Sequence, residues 1–460
     1  KLGEVTNLIK ESKWPTAGPQ GFQVANSCRF DAGGSTQMNK TISSTSTTWT
    51  FSCWIKLNPT GTNQYLASWD MGSGESLGIG IEASSNQLFI YTSSTGQAPK
   101  LYDGKLRDPG AWMNIVIKNS SGTITSYING TQAKTSITGT ALASGTLRIG
   151  CWTGSNFFYD GYMSEVVLID GTAYNADSFG EFNSQTGIWV PKDVSGLTFG
   201  SDGFYLDFKD SANLGNDANG GTDLTEVNLT SIDQSTDTCS TNFATMNPLD
   251  LGATTGGEFL QGNLDVHMGG TAQGVYYSTI GVSSGKWYVE VNPDSGSGGN
   301  SYIGISGNAN NSRGANDGLG DLAFDYGYYQ SDGSLRNNDS DSSYGSSYSN
   351  GNIIGVYLDL DNNKLYFSVN GTVQNSGTGI SISAVTNTPT GNYFFCVGDD
   401  NAFAERRFNL NFGSPIESIS SSNTDDNGFG NFEYSPNITG DGSAKKFYSL
   451  NTKNLTTVLA

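Results

Sequence analysis

Two stretches of this 460-residue chain, Tyr127-Ile128-Asn129-Gly130-Thr131 and Ser368-Val369-Asn370-Gly371-Thr372, end alternating apolar and polar runs and precede further strand-like sequence. The runs extend from Asn114 to Tyr127 and from Ile353 to Val369. Asn-Gly tolerates the positive φ angles of a two-residue hairpin turn, so each stretch reads as a β-hairpin. One hairpin in each half predicts an all-β chain: two antiparallel β-sandwich domains of jelly-roll type in tandem, with an irregular connector.

The rest of the chain fits that reading. Charged residues make up 14% and aromatic residues 12%, while Gly alone fills 61 positions. Gly, Ser, Thr and Asn favour turns and strands, and few windows carry helical apolar spacing. The formal net charge of -20 argues against a nucleic-acid surface, which needs a positive stripe to release counterions. No run of about 18 apolar residues occurs, so membrane insertion is not expected. No secretory leader is visible, and the chain starts at Lys1, as processing or truncation would leave it.

Turn-rich punctuation divides the chain into an N-terminal arm or linker at residues 1–20, a first sandwich at 21–180, a connector at 181–255, a second sandwich at 256–415 and a C-terminal extension at 416–460. In the first sandwich, strands are expected at Cys28 to Asp31, Thr48 to Leu57, Gln64 to Trp69, Leu77 to Ile81, Gln87 to Thr92, Trp112 to Lys118, Thr123 to Ile128, Thr146 to Trp152 and Gly161 to Ile169.

Five cysteines (Cys28, Cys53, Cys151, Cys239, Cys396) are scattered without a Cys-x-x-Cys pair. Three sit in apolar strand-like runs, where Cys behaves as a small hydrophobe, so buried free thiols are expected. Bridges from Cys28 or Cys53 to Cys151 remain open alternatives. His267 is the single histidine, which leaves no basis for a zinc site.

The ordered set Ser27-Cys28-Arg29-Phe30-Asp31, Trp49 to Lys56, Tyr127-Ile128-Asn129-Gly130, Leu147-Arg148-Ile149-Gly150 and Tyr159 to Val166 resembles the concanavalin A-like laminin-G and pentraxin jelly rolls. Ser164 stands where that family's motif commonly carries Asp, which weakens transfer of its calcium chemistry. Gly285 to Val291, Tyr302 to Ile305, Asn352 to Asn370, Tyr393 to Phe395 and Phe408 to Gly413 together resemble a SPRY domain. The whole series, through Asn451-Thr452-Lys453-Asn454-Leu455, resembles structural proteins of marine tailed bacteriophages. That resemblance implies an exposed virion component.

Catalysis finds little support. Glucanases of the concanavalin A-like fold present Glu-x-Asp-x-Glu, and no Glu-x-Asp occurs here. Pairs such as Asp399 with Asp400, or Asp70 with Asp103, cannot be placed at hydrolase spacing from sequence. A Ser-His-Asp system would require His267, which lies in an ordinary alternating run, Asn263 to Met268. Gly318-Leu319-Gly320 lacks the lysine of a phosphate loop. The chain is therefore expected not to be an enzyme.

Binding residues are sought instead among loop aromatics and acids. Trp69, Trp152 and Tyr159 in the first sandwich and Tyr328, Tyr329 and Tyr344 in the second sit among small polar residues, a mixture suited to recognition. Asp70 and Asp103 are candidate hydroxyl acceptors. Calcium is the one cofactor left open, with Asp70, Asp103 and Asp160 as candidate ligands in oxygen-rich, negative loops. Asp359-Leu360-Asp361 reads as a turn. The Asn-x-Ser/Thr triplets, such as Asn228-Leu229-Thr230, are what chance produces in this composition.

The resulting expectation is a tail fibre, spike or capsid-surface adhesin whose sandwich loops hold a host-surface glycan or outer-membrane component. Its partners would be other virion proteins and further copies of itself. A purely structural decoration or assembly role is the alternative, and glycan hydrolysis the least favoured.

Overall fold

The computed structural model describes residues 21–71, 74–93, 96, 98–154, 156–251, 257–269, 274–295, 301–314, 317–399, 406–438 and 444–458. The arm expected at 1–20 and Asp400 lie outside them. Two units are present, one of residues 21–242 with 260–262 and the other of residues 243–259 with 263–458.

The first unit is built from β1 (Ser27–Phe30), β2 (Gln37–Ile42), β3 (Trp49–Leu57), β4 (Gln64–Met71), β5 (Ser76–Ile81), β6 (Leu88–Thr92), β7 (Met113–Ser120), β8 (Thr123–Ile128), β9 (Thr131–Thr138), β10 (Gly145–Ile149) and β11 (Gly161–Asp170). One sheet runs Gln234–Ser235, β1, β11, β3, β7, β8, β9, with Phe204–Leu206 also paired to β11. The other runs Thr225–Val227, β2, β10, β4, β5, β6. Their facing sides bury Phe30, Trp49, Phe51, Ile55, Trp69, Leu77, Ile79, Leu147 and Ile149 in one apolar core.

Both Asn-Gly turns form as expected. Asn129 and Gly130 have φ of 45° and 74°, and Asn370 and Gly371 have 47° and 75°. These are the angles of a type I′ turn, reached with least strain by Asn and Gly. The two Asn side chains also do the same job: Asn129 Oδ1 accepts from Asn114 N, and Asn370 Oδ1 from Ile353 N, each at 2.9 Å or less.

Strand β2 is not foreseen by the sequence reading, because Gln37-Met38-Asn39-Lys40-Thr41-Ile42 looks polar. Met38 and Ile42 enter the core while the Lys40 ammonium finds an acceptor outside it, its Nζ donating to Thr222 O. The stretch 181–242 is likewise less a connector than part of the sandwich. It supplies Phe204–Leu206, Thr225–Val227 and Gln234–Ser235 to the two sheets, and Leu214, Leu224 and Leu229 to the core.

In the second unit the larger sheet orders Asp265–Met268, Arg406–Asn411, Lys286–Ser295, Ile354–Asp359, Lys364–Val369 and Thr372–Val373. The facing sheet orders Val275–Tyr277, Phe394–Asp399, Ser301–Ser306, Asp325–Tyr329, Ser334–Asn337 and Ser340–Ser343. The expected C-terminal extension completes this sandwich. Tyr448–Ser449 pairs in parallel with Trp287–Tyr288, and Phe432, Ile438 and Phe447 cover Tyr288, Tyr357 and Tyr366 on the sheet's other face.

All five cysteines are free thiols, and burial raises those of Cys28 and Cys53 well above the ordinary range. The expectation of buried thiols therefore stands over either bridge. His267 sits on its strand as anticipated, 3.5 Å from both Glu258 and Asp265.

Two buried glutamates tie outer layers to the sheets. Glu165, at a bulge in β11 with φ of 49°, accepts a 2.6 Å hydrogen bond from Tyr205 OH. Glu290 accepts from Tyr434 N, Glu433 N, Tyr288 OH and Asn411 Nδ2. Burial pushes each from 4.5 up to about 7, outweighing those donors. Between these values the folded chain holds protons that the unfolded chain has lost, so stability is full below about 4.5 and declines as pH rises through 7. Thermal melts should show Tm falling across that window, and the double variant Glu165→Gln, Glu290→Gln should flatten the slope. A Tm that rises from pH 5 to 8 would contradict this assignment.

Candidate functional site

Strand alternation gives the six-stranded sheet of the first unit a second face. Leu147 and Ile149 of β10 point into the core, so Thr146 and Arg148 point out. The same rule sends Asn39 and Thr41 of β2, Ser68 and Asp70 of β4, Gly78 and Gly80 of β5, and Phe89 and Tyr91 of β6 to that outer face. A bulge between Tyr65 and Ala67 returns Tyr65 to the outer face while Leu66 and Ala67 stay inside.

Register then sorts these side chains into rows. Thr41, Thr146, Asp70 and Ser76 are cross-strand neighbours and form a polar row. Asn39, Arg148, Ser68, Gly78 and Tyr91 form the next. Tyr65, Gly80 and Phe89 form the third. At about 4.8 Å per strand the middle row spans roughly 19 Å across five strands.

The aromatic end is a packed platform. Tyr65 lies 4.8 Å from Trp152, 5.4 Å from Phe89 and 6.1 Å from Phe157 between ring centroids, and Tyr91 meets Trp152 edge-on at 5.2 Å. Each such pair adds about 0.5–1.5 kcal/mol beyond its buried area. The platform depends on glycine: a Cβ on Gly78 would fall 2.5 Å from Tyr65 and 2.6 Å from Trp152, and one on Gly80 2.8 Å from Phe89. Phe157 stays 47% exposed and is held at φ of 52°, a strained setting for a bulky residue.

The polar end is left unsatisfied. Asn39 Oδ1, Ser68 Oγ and Arg148 Nη1 are buried atoms without a hydrogen-bond partner among the described residues. Arg148 Nη1 stands 3.8 Å from Asp70 Oδ2, beyond hydrogen-bond reach. Burying a polar atom unpaired costs about 1–3 kcal/mol, so three in adjacent positions call for an external partner. Beside them opens a cleft of about 480 Å³ lined by Asn39, Thr41 and Thr146 together with Asp202, Asn219 and Asp223.

Of the residues singled out in sequence, Trp152 and Asp70 belong to this face. The others are elsewhere. Trp69 is 1% exposed and packs on Trp49 and Phe51 in the core, because its position in β4 alternates inward. Tyr159 is fully buried, its hydroxyl donating to Lys56 O and Tyr162 O. Tyr328 is buried against Phe367, and its hydroxyl donates to Ser346 O. Tyr344 is buried with its hydroxyl oxygen accepting from Phe367 N. These four rings are framework and have no surface to offer. Tyr329 is half-buried and stacks on Tyr302 at 4.6 Å.

The three proposed calcium ligands are not brought together. Asp70 faces Arg148, Asp103 pairs with Lys134 at 2.6 Å, and Asp160 is fully buried. Burial pushes Asp160 up to about 7, while Asn58 Nδ2, Gly262 N and Ala32 N donate to its oxygens. No group of three or more His, Cys, Asp or Glu residues is arranged for a metal among the described residues.

Sequence reasoning missed Tyr65, Phe89, Tyr91, Asn39, Ser68 and Arg148. A signal for some of them was present: Gly78-Ile79-Gly80 inside a strand marks a close approach, and Leu88-Phe89-Ile90-Tyr91 is apolar on both faces.

Residues 30–177 match the family model of the concanavalin A-like lectin/glucanases superfamily, and residues 286–402 match the SPRY domain. No curated protein matches the chain. Among solved structures, the SPRY domain of human HERC1 is 15% identical, with 36% of this chain and 96% of that one covered and a TM-score of 0.28. A heptameric SAP-like pentraxin from Limulus polyphemus is 17% identical over 41% of this chain and 89% of that one, with a TM-score of 0.27. Domain 4 of an extracellular arabinanase from Geobacillus stearothermophilus is 16% identical over 29% and 64%, with a TM-score of 0.26.

A Gly78→Val substitution should drive Tyr65 and Trp152 off the sheet while leaving the core, on the opposite face, intact. Near-ultraviolet circular dichroism and tryptophan emission should change with the far-ultraviolet spectrum preserved. An unchanged aromatic signal would show that the rings do not rest on this glycine.

Proposed function

We propose that this chain is an exposed, non-catalytic virion protein of a tailed bacteriophage that binds a host-surface glycan on the outer face of its six-stranded sheet. The observation that carries the ligand class is the junction of the two halves of that face. Trp152, Tyr91 and Phe157 offer apolar rings to sugar C–H surfaces. Within the same rows, the part-exposed side chains of Asn39, Thr41, Asp70 and Arg148 offer acceptors and donors to hydroxyls. The match of residues 30–177 to a superfamily of lectins and glucanases supports a glycan over a peptide.

The non-catalytic reading rests on the sequence, which lacks the Glu-x-Asp-x-Glu strand of glucanases of this fold, while the carboxylates near this face include Asp70 and, in the adjoining cleft, Asp202 and Asp223. The virion setting rests on the resemblance of the ordered domain series to phage structural proteins. Many copies on a particle would turn weak single-site binding into firm attachment through avidity.

A glycan array with the purified chain tests the reading, alongside reducing-sugar release from bacterial and algal polysaccharides. Binding to a restricted set of glycans is expected without release of sugar. Trp152→Ala should weaken it at least about tenfold, a loss of 1.4 kcal/mol or more. Binding should persist in chelator, since Asp70, Asp103 and Asp160 are not brought together and Asp103 and Asp160 are engaged by protein groups. An array with no binding would favour the structural-decoration role instead.

A further inference from the structure

The opposite, eight-stranded sheet of the first unit carries a second cluster that glycan binding does not use. Lys56 lies one residue before the end of β3, paired with Tyr162 of β11, and points away from the main core. Its side chain is nonetheless 1% exposed. Trp54, Trp112 and Tyr162 wall it in as part of a separate apolar cluster, with Nζ 6.0 Å from the Tyr162 ring centroid. Nζ is 2.7 Å from Asp237 Oδ2 and 2.8 Å from Asn242 Oδ1.

The two partners are themselves oriented. Trp112 Nε1 donates to Asp237 Oδ1 at 2.9 Å, leaving Oδ2 to the lysine. Asn242 Nδ2 donates to Gly110 O at 2.7 Å, and only the nitrogen end of a carboxamide can do so. The oxygen end therefore faces Nζ, so the amine and the carboxamide are held against each other.

We propose that Lys56 and Asn242 join in an intramolecular isopeptide bond, with Asp237 as the proton carrier. An amine and a carboxamide do not react in water at any useful rate. Fixing both in one geometry supplies effective molarities of about 10⁵–10⁸ M and removes that obstacle. The dry setting matters equally: a buried ion pair gains little over its neutral amine and acid forms, so Asp237 can take a proton from Lys56 and free the lone pair on Nζ. Burial lowers the lysine pKa in the same sense, against the opposing pull of Asp237.

The step balances without a co-reactant. The Nζ–Cγ bond forms as the carboxyl of Asp237 protonates the carboxamide oxygen, a second Nζ proton passes through Asp237 to the departing nitrogen, and the oxygen proton returns to Asp237 as the new carbonyl forms. The Cγ–Nδ2 bond breaks and ammonia leaves past Asn242, which is only partly buried. No atom is oxidised or reduced. The product ties β3 to Asn242, where the long segment 21–242 of the unit ends, closing a long loop covalently and restricting the unfolded chain most where loops are longest.

Intact mass spectrometry of the purified full chain decides the matter. The expected mass is about 17 Da below that of the sequence, the mass of ammonia, with trypsin failing to cut after Lys56 and releasing one branched peptide that contains Lys56 and Asn242. Asp237→Asn and Asn242→Ala should both restore the unmodified mass and linear peptides. Because the native chain alone gives the answer, a variant that fails to fold does not blur it. Full mass in the native chain overturns the proposal. So does a deficit of about 17 Da mapped to a succinimide at an Asn-Gly pair, or one of about 18 Da mapped to Lys56 and Asp237.

Discussion

Along β10, Leu147 and Ile149 go into the sandwich while Thr146 and Arg148 face away from it, and this two-residue period governs everything else in the first unit. One side of the six-stranded sheet is committed to the apolar core with Trp69, Leu77 and Ile79. The other side is left to be either covered or used. A slip of one residue in β10 would exchange the two roles, so the register that stabilises the core also fixes where Arg148 and Ser68 stand.

The two sheets of that unit treat their outer faces differently. The eight-stranded sheet is covered: Trp54, Trp112, Tyr162, Phe179, Trp189 and Tyr205 form a second apolar layer over it. Lys56 and Glu165 are enclosed beneath that layer, with Asp237 and Tyr205 as partners. The outer face of the six-stranded sheet instead keeps unpaired polar atoms next to half-buried rings. Tyr162 Oη in the covering layer is also unpaired among the described residues, so it is the cross-strand adjacency of Asn39, Arg148 and Ser68, beside aromatic rings, that makes the other face read as a recognition surface.

The second unit solves a similar problem with its own chain. Tyr288 and Glu290 alternate outward from the strand that buries Trp287, Val289 and Val291. The segment around Phe432, Tyr434 and Phe447 lies over them and ends with Tyr448–Ser449 added beside that strand. Tyr328 and Tyr344, which in sequence look like a binding surface, pack on Phe367 and on each other inside this sandwich, with Tyr348 against Tyr328.

The sequence by itself determined the all-β class, the two Asn-Gly hairpins and two ordered sets of strands, because each depends on local backbone preference or on alternation within one segment, whereas the choice of free thiols over a bridge was made by the fold. Trp152 and Asp70 were legible as surface residues for the same reason. Which of Trp69 and Tyr65 faces the core and which the outer side of one strand was decided only by the tertiary structure, through a bulge between Tyr65 and Ala67 that single-strand alternation does not reveal. The meeting of Asn39, Arg148 and Ser68, and of Lys56, Asp237 and Asn242, was decided there too. Those residues are up to 186 positions apart, and only sheet register and the packing of an outer layer bring them within bonding distance.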